Sequence, residues 1–223
     1  MKLTTKQVDA VFDYVASHDI KWYELQIELT DHLVSIMEEM WSADSELSFQ
    51  QVKYQAEQRF GRNYFKEIEE ERRKILKKQF NRNQYKMVSE YLKFPKIALS
   101  ILMVFVVYRI SFYFEDISFY IKILYGILFS ASVFTMLNWY RYRKINGKNF
   151  LSLETVLRVN NKAISFSFFA VLGVNSFKET FPENYIFYIP FYFLWVLGIL
   201  LIITGYQITN KVASRIKKQY QLI

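Results

Sequence analysis

The chain has 223 residues, 52% of them apolar and 22% charged, with no cysteine, 6 Gly and 3 Pro. Residues 1–94 hold 16 of the 21 acids beside 15 bases, whereas the remainder holds 5 acids beside 14 bases. That segregation excludes one uniform globular domain, the 19% aromatic content excludes disorder, and the missing thiols exclude disulfides, thiolate zinc sites, iron–sulfur clusters and cysteine nucleophiles.

The amino terminus is polar. Lys2, Lys6, Asp9, Asp13 and Asp19 break any apolar run before Ile20, so no secretory signal is expected and the front segment should remain where it is made. Thr4 and Gln7 have capping-box spacing, and Val8, Val11, Phe12 and Val15 then form one apolar face. A second helix over about 22–41 places Leu25, Leu29, Leu33, Ile36 and Met40 along one stripe. Ser48 and Gln51 repeat the capping box, and the third helix turns Phe49, Val52, Ala56 and Phe60 inward. Gly61 is its expected stop, where a left-handed residue needs no Cβ, and Asn63 is the expected cap of a fourth helix. No segment alternates as a strand does, so the front reads as all-α.

Tyr23-Glu24-Leu25, Asp31-His32-Leu33, Glu38-Glu39, Ser48-Phe49-Gln50-Gln51-Val52, Phe60-Gly61 and Lys66-Glu67-Ile68 occur in that order. In this order of residues, the segment over about 21–71 resembles the HAAS family, small cytoplasmic helical domains fused to membrane spans and commonly encoded beside PadR-like transcription regulators. The family has Gly-x-Pro after its third helix, where this chain has Gly61-Arg62-Asn63. What the resemblance implies is regulation or signalling at a membrane, not a reaction.

Glu24, Glu28, Asp31 and His32 fall on neighbouring positions of the second helix, with Glu28 and His32 one turn apart. A carboxylate–imidazole metal site gathers ligands from more than one such helix, and His18 is the one other histidine. The favoured reading is a solvated helix edge on which Glu28 supports His32. With no Gly-rich phosphate loop, nucleophile elbow or zincin spacing, neither catalysis nor a cofactor is expected. Glu24, Glu28, Asp31, His32, Glu38 and Glu39 instead offer a negative face to a protein partner.

A charge step follows. Residues 1–70 hold 7 bases and 14 acids, while 71–94 hold 8 bases and 2 acids. Arg72, Arg73, Lys74, Lys77, Lys78, Arg82 and Lys86 lie just before the first apolar segment, where each base near an anionic leaflet contributes about 1 kcal/mol. Lipid headgroups are therefore the favoured partner, and nucleic acid is disfavoured. Glu69–Arg73 and Glu70–Lys74 have the spacing of stabilising pairs, so the fourth helix should continue as a stalk and yield near Pro95.

Four apolar segments follow, at 97–114, 117–140, 163–181 and 186–208. A crossing of a hydrocarbon core about 30 Å thick takes roughly 20 mostly apolar residues, which the second and fourth supply outright. The connections alternate in charge: 115–116 is acidic, 141–162 and the tail 209–223 are basic, and 178–185 is slightly acidic. Basic connections stay cytoplasmic, so four spans with both termini inside are expected. Arg109 and Lys122 are the ionisable residues most clearly within these segments, and Asn175 lies in the third. The two bases are expected to snorkel outward or pair with Glu115 and Asp116, and Asn175 to hydrogen-bond between helices. Gly198 and Gly205 share one face and should admit a close neighbour, and Pro190 should kink the fourth span. In the inner connection, Phe150, Leu151, Leu153, Val156 and Leu157 follow Asn146-Gly147 in a helical pattern, lying in the interface or packing on the front domain.

The sequence therefore predicts an all-α chain: an acidic cytoplasmic module (1–70), a basic juxtamembrane helix (71–94) and a four-span membrane domain (95–223). It reads as a multi-pass inner-membrane protein that presents a non-catalytic regulatory module to a cytoplasmic regulator. The alternative is an accessory subunit of a membrane transport or envelope complex, with membrane subunits as partners.

Overall fold

The structure, a computed structural model, describes residues 2–18, 20–59, 64–141, 143–180 and 185–220. The chain divides into two compact units, Met1–Leu76 with Arg143–Ser152, and Lys77–Tyr142 with Leu153–Ile223. Two of its three boundaries, after Leu76 and after Ser152, fall inside helices.

In the first unit, α1 (Thr5–Ser17), α2 (Tyr23–Ala43) and α3 (Phe49–Arg59) precede the start of α4 (Tyr64–Tyr91). Both capping boxes form. The Thr4 N–H donates to Gln7 Oε1 at 2.8 Å, and Ser48 N–H donates to Gln51 Oε1 at 2.8 Å while Ser48 Oγ accepts from Gln51 N–H. The core gathers Val11, Val15, Leu25, Leu29, Leu33, Met37, Val52 and Ala56. Met37 takes the place expected of Ile36 and Met40, which are half-buried, because the buried row on α2 follows a strict four-residue step. The expected core residue Phe60, stop at Gly61 and cap at Asn63 lie outside the described residues.

Arg143–Ser152 supplies a feature that the all-helical reading missed. Here β1 (Lys144–Ile145) pairs antiparallel with β2 (Lys148–Asn149) around Asn146 and Gly147, whose φ angles of 49° and 76° are those a two-residue hairpin turn requires.

In the second unit, α4 runs on to Tyr91 and meets α5 (Lys96–Ser111) at 78°, with Pro95 at the break. From Leu76 it buries only Leu76, Phe80, Gln84 and Val88 at four-residue steps, so the segment expected as a stalk is partly packed. Then come α6 (Ile117–Arg141), α7 (Leu151–Asn160), α8 (Lys162–Thr180), a 3₁₀ turn (Tyr185–Tyr188) and α9 (Ile189–Gln219). Helices α5, α6 and α8 all pack on α9, and α6 packs on α8. Pro190 stands in the first turn of α9, where the missing N–H costs no helical bond, so it starts this helix rather than kinking it. Gly198 and Gly205 do admit close neighbours: an added Cβ would lie 2.5 Å from Leu128 Cδ2 and 2.6 Å from Asn160 Oδ1, respectively.

Among the described residues, two helices are long and apolar enough to cross a membrane, Ile117–Tyr140 and Tyr185–Gln219, and the bent α4–α5 pair makes a third if counted as one span. The third expected segment, α8, is diluted by Ser165, Ser167, Asn175 and Ser176.

Candidate functional site

Two sites stand on α2. Glu28, Leu29, Asp31, His32 and Ser35 line one wall of an open groove of about 450 Å³, with Tyr64 and Ile68 of α4 opposite. Leu29 is buried at the floor, while Glu28, Asp31 and His32 are exposed at the rim. Arg72 approaches Glu28 at 3.7 Å, a pair of exposed side chains that leaves the rim acidic. Burial pushes the Tyr64 phenol above its ordinary range, so it stays neutral and able to donate a hydrogen bond. Among the described residues no three of His, Asp and Glu converge as a metal ion would require. The groove thus combines acidic and hydrogen-bonding side chains at its rim with the buried Leu29.

One turn earlier, the amino-terminal end of α2 carries a second arrangement. Ser152, in the first turn of α7, donates its backbone N–H to Glu24 Oε1 at 2.6 Å and its hydroxyl to Glu24 Oε2 at 2.8 Å. A carboxylate here also meets the positive end of the α7 dipole. The Lys148 ammonium sits 3.5 Å from the Tyr23 ring centroid, and Phe150 meets the same ring edge-on at 6.0 Å. Trp22 bridges to Asn149 in parallel, and Ile145, Phe150 and Leu151 are buried. Glu24 itself has its carboxyl raised above the usual range. Burial is the larger cause and outweighs the Ser152 hydrogen bonds and the nearby Arg72.

The other expected residues are placed as follows. Glu38 accepts the Leu3 N–H at 3.0 Å, and Glu39 is exposed. Arg73 pairs with Glu69 at 2.8 Å and lies over the Trp22 ring, whereas Lys74, Lys77, Lys78, Arg82 and Lys86 are exposed on α4. Arg109 lies over the Phe112 ring at 5.8 Å, Lys122 is half-buried, and Asn175 is on an exposed face of α8. The base that pairs with Asp116 is Lys178, at 2.6 Å, rather than Arg109 or Lys122.

The polar residues that hold the second unit together were missed in the sequence. Tyr125 donates to the Phe191 carbonyl at 2.8 Å, Trp195 to the Leu124 carbonyl at 2.9 Å, and Asn160 to Thr209 Oγ1 at 2.8 Å. Gln84, almost wholly buried on α4, donates to the Leu201 carbonyl at 3.3 Å. A signal for the docked loop was in the sequence, in the Asn146-Gly147 hairpin pair, but nothing local announced its receptor.

These features define a mostly helical, two-unit chain with an acidic groove in one unit and two or three potential spans in the other. No protein-family model, curated protein or solved structure matches it.

Proposed function

We propose that this chain is a multi-pass inner-membrane protein with four spans (α5, α6, α8 and α9) and both termini in the cytoplasm, presenting its helical unit as a non-catalytic regulatory contact. The observation that carries this reading is the outward face of the second unit. Leu99, Leu102, Phe105, Phe119, Ile127, Phe134, Phe168, Phe169 and Phe193 are all exposed there, and large exposed apolar surfaces mark membrane or protein contacts. The basic inner connection and tail support the orientation, and lipid headgroups are the natural partners of the exposed bases on α4. The groove around Glu28, Asp31 and His32 is the proposed contact for a protein partner. The resemblance of residues 21–71 to the HAAS family supports a signalling role.

The chain lacks cysteine, so single cysteines give a clean test of orientation. Glu38→Cys and Lys217→Cys should react from the same side of the membrane and Glu115→Cys from the other; labelling of Glu38→Cys and Lys217→Cys from opposite sides ends the scheme. Purification in gentle detergent then tests the contact. A soluble regulator lost on Glu28→Lys with Asp31→Lys supports signalling, while stoichiometric membrane subunits that survive those changes support the accessory-subunit reading.

A further inference from the structure

The ten residues Arg143–Ser152 lie in sequence between two apolar helices, yet they belong to the front unit. Their seat is formed by consecutive residues at the start of α2: Trp22 bridges to Asn149, the Tyr23 ring takes Lys148 and Phe150, and Glu24 takes both donors of Ser152. We infer that this seat is a peptide-recognition site whose resident ligand is the chain's own inner connection, held as a releasable clamp.

The complement of the seat can be read from what fills it. It accepts a cation on an aromatic face, a second aromatic at the ring edge, and a helix amino terminus on a carboxylate. Ordering ten residues costs backbone and side-chain entropy of the same order as the gain from burying Ile145, Phe150 and Leu151. The margin then rests on the directed contacts, chiefly the two hydrogen bonds that Glu24 accepts from Ser152. The clamp is also continuous in sequence with α6 on one side and with the rest of α7 on the other. Its release would free the Tyr23 face that takes Lys148 and the Glu24 carboxyl that takes Ser152, while Arg73 stays over Trp22 and Phe12 against Tyr23.

Amide hydrogen exchange on the full-length protein in nanodiscs tests this, because local opening is read segment by segment. Glu24→Ala should speed exchange across 144–152 about tenfold or more. Glu24→Gln keeps an acceptor for the Ser152 N–H and should speed it less than threefold, and Tyr23→Leu should fall between them. Amides of α1, α3 and 29–37 of α2 should keep their protection in all three. Unchanged exchange of 144–152 in both Glu24→Ala and Tyr23→Leu would show that the contacts carry no weight. A parallel rise across α1–α3, or failure of both variants to fold, would show that the segment is fixed core. Neither result depends on membrane orientation, so the labelling experiment can fail or succeed separately.

Discussion

The two units differ in how many polar side chains they bury among apolar ones. In the front unit the described core is aliphatic apart from Trp22 and Phe150, with Thr30 as its buried polar member, and Tyr54 and Ile75 are its large exposed apolar residues. In the second unit Gln84, Ser111, Ser118, Ser132, Thr155, Ser167, Thr204 and Thr209 are buried, and Phe, Leu and Ile side chains are exposed along α5, α6, α8 and α9. Water rewards the first arrangement, since burial removes apolar surface from it. In a hydrocarbon solvent that gain between helices disappears, and close approach at small residues with side-chain hydrogen bonds takes over. Gly198 against Leu128, Gly205 against Asn160, and Tyr125 bonded to the Phe191 carbonyl are of this second kind.

The contrast is broken most sharply by core truncation in the front unit. Leu25 is 1% exposed, and Leu25→Ala should cost about 2–5 kcal/mol. A denaturant melt followed through Trp22 and Trp41 should show the loss, with the transition of the second unit unchanged. The lipid side has a matching test. Ile127 is 57% exposed near the middle of α6, and Ile127→Asp should cost about 2.5–3.5 kcal/mol of insertion if lipid covers it. Tyr54→Asp, on a comparably exposed residue of the front unit, should stay within about 0.5 kcal/mol. Equal tolerance of both substitutions would remove the difference in solvent.

A smaller effect is expected inside the second unit. A Cβ at Gly205 meets the Asn160 amide, which is held by its bond to Thr209 and has little freedom to yield. Gly205→Val should therefore destabilise by about 1–3 kcal/mol in a thermal melt in nanodiscs. At Gly198 the obstructing atom is the flexible end of Leu128, so Gly198→Ala should cost less.

How far these features were legible depends on the range over which each is determined. Capping boxes at Thr4 and Ser48, the α2 stripe and the apolar runs of α6 and α9 are local patterns, and each stands within a few residues of where the periodicity puts it. The count of spans was less legible, because α5 is short and joins α4 at a sharp bend, and α8 is diluted by polar residues. The role of Glu24 was not legible at all. Glu24, Glu28 and Asp31 are alike in sequence, and the difference is made by Ser152, 128 positions away. The hairpin at Asn146-Gly147 was hidden by its brevity, since two-residue strands are too short to show alternation.

Glu24 also makes the front unit's stability depend on pH in a direction unusual for a carboxylate. Its pKa is raised in the folded chain, so the folded state holds the proton more tightly than the unfolded one. That contribution is fully present below the ordinary carboxylate range and is lost as pH rises through the raised value. Glu24→Gln should flatten this part of the profile in melts of the front unit across the weakly acidic range. A wild-type profile that rises over the same window relative to Glu24→Gln would mean that the carboxylate is stabilised as an anion.

The smallest effect is expected at the connection between α5 and α6, where two roles of Asp116 can be separated. Its Oδ1 accepts the Ser118 and Phe119 N–H groups at 2.9 and 3.2 Å, which caps α6, and its Oδ2 takes the Lys178 ammonium. The Lys178 bond, more than the cap, holds this carboxyl below the usual range, so its contribution is present above that range and fades on acidification through the lowered value. Both side chains are about half exposed, and such pairs are worth roughly 0–1 kcal/mol. A cap is worth about 1 kcal/mol and does not require charge. Asp116→Asn should then cost only a few tenths of a kcal/mol, Asp116→Ala about 1 kcal/mol, and Lys178→Gln no more than Asp116→Asn. If Lys178→Gln instead matched Asp116→Ala, the pair would be acting as a shielded bridge, and this connection would behave like an interior site rather than a wetted loop.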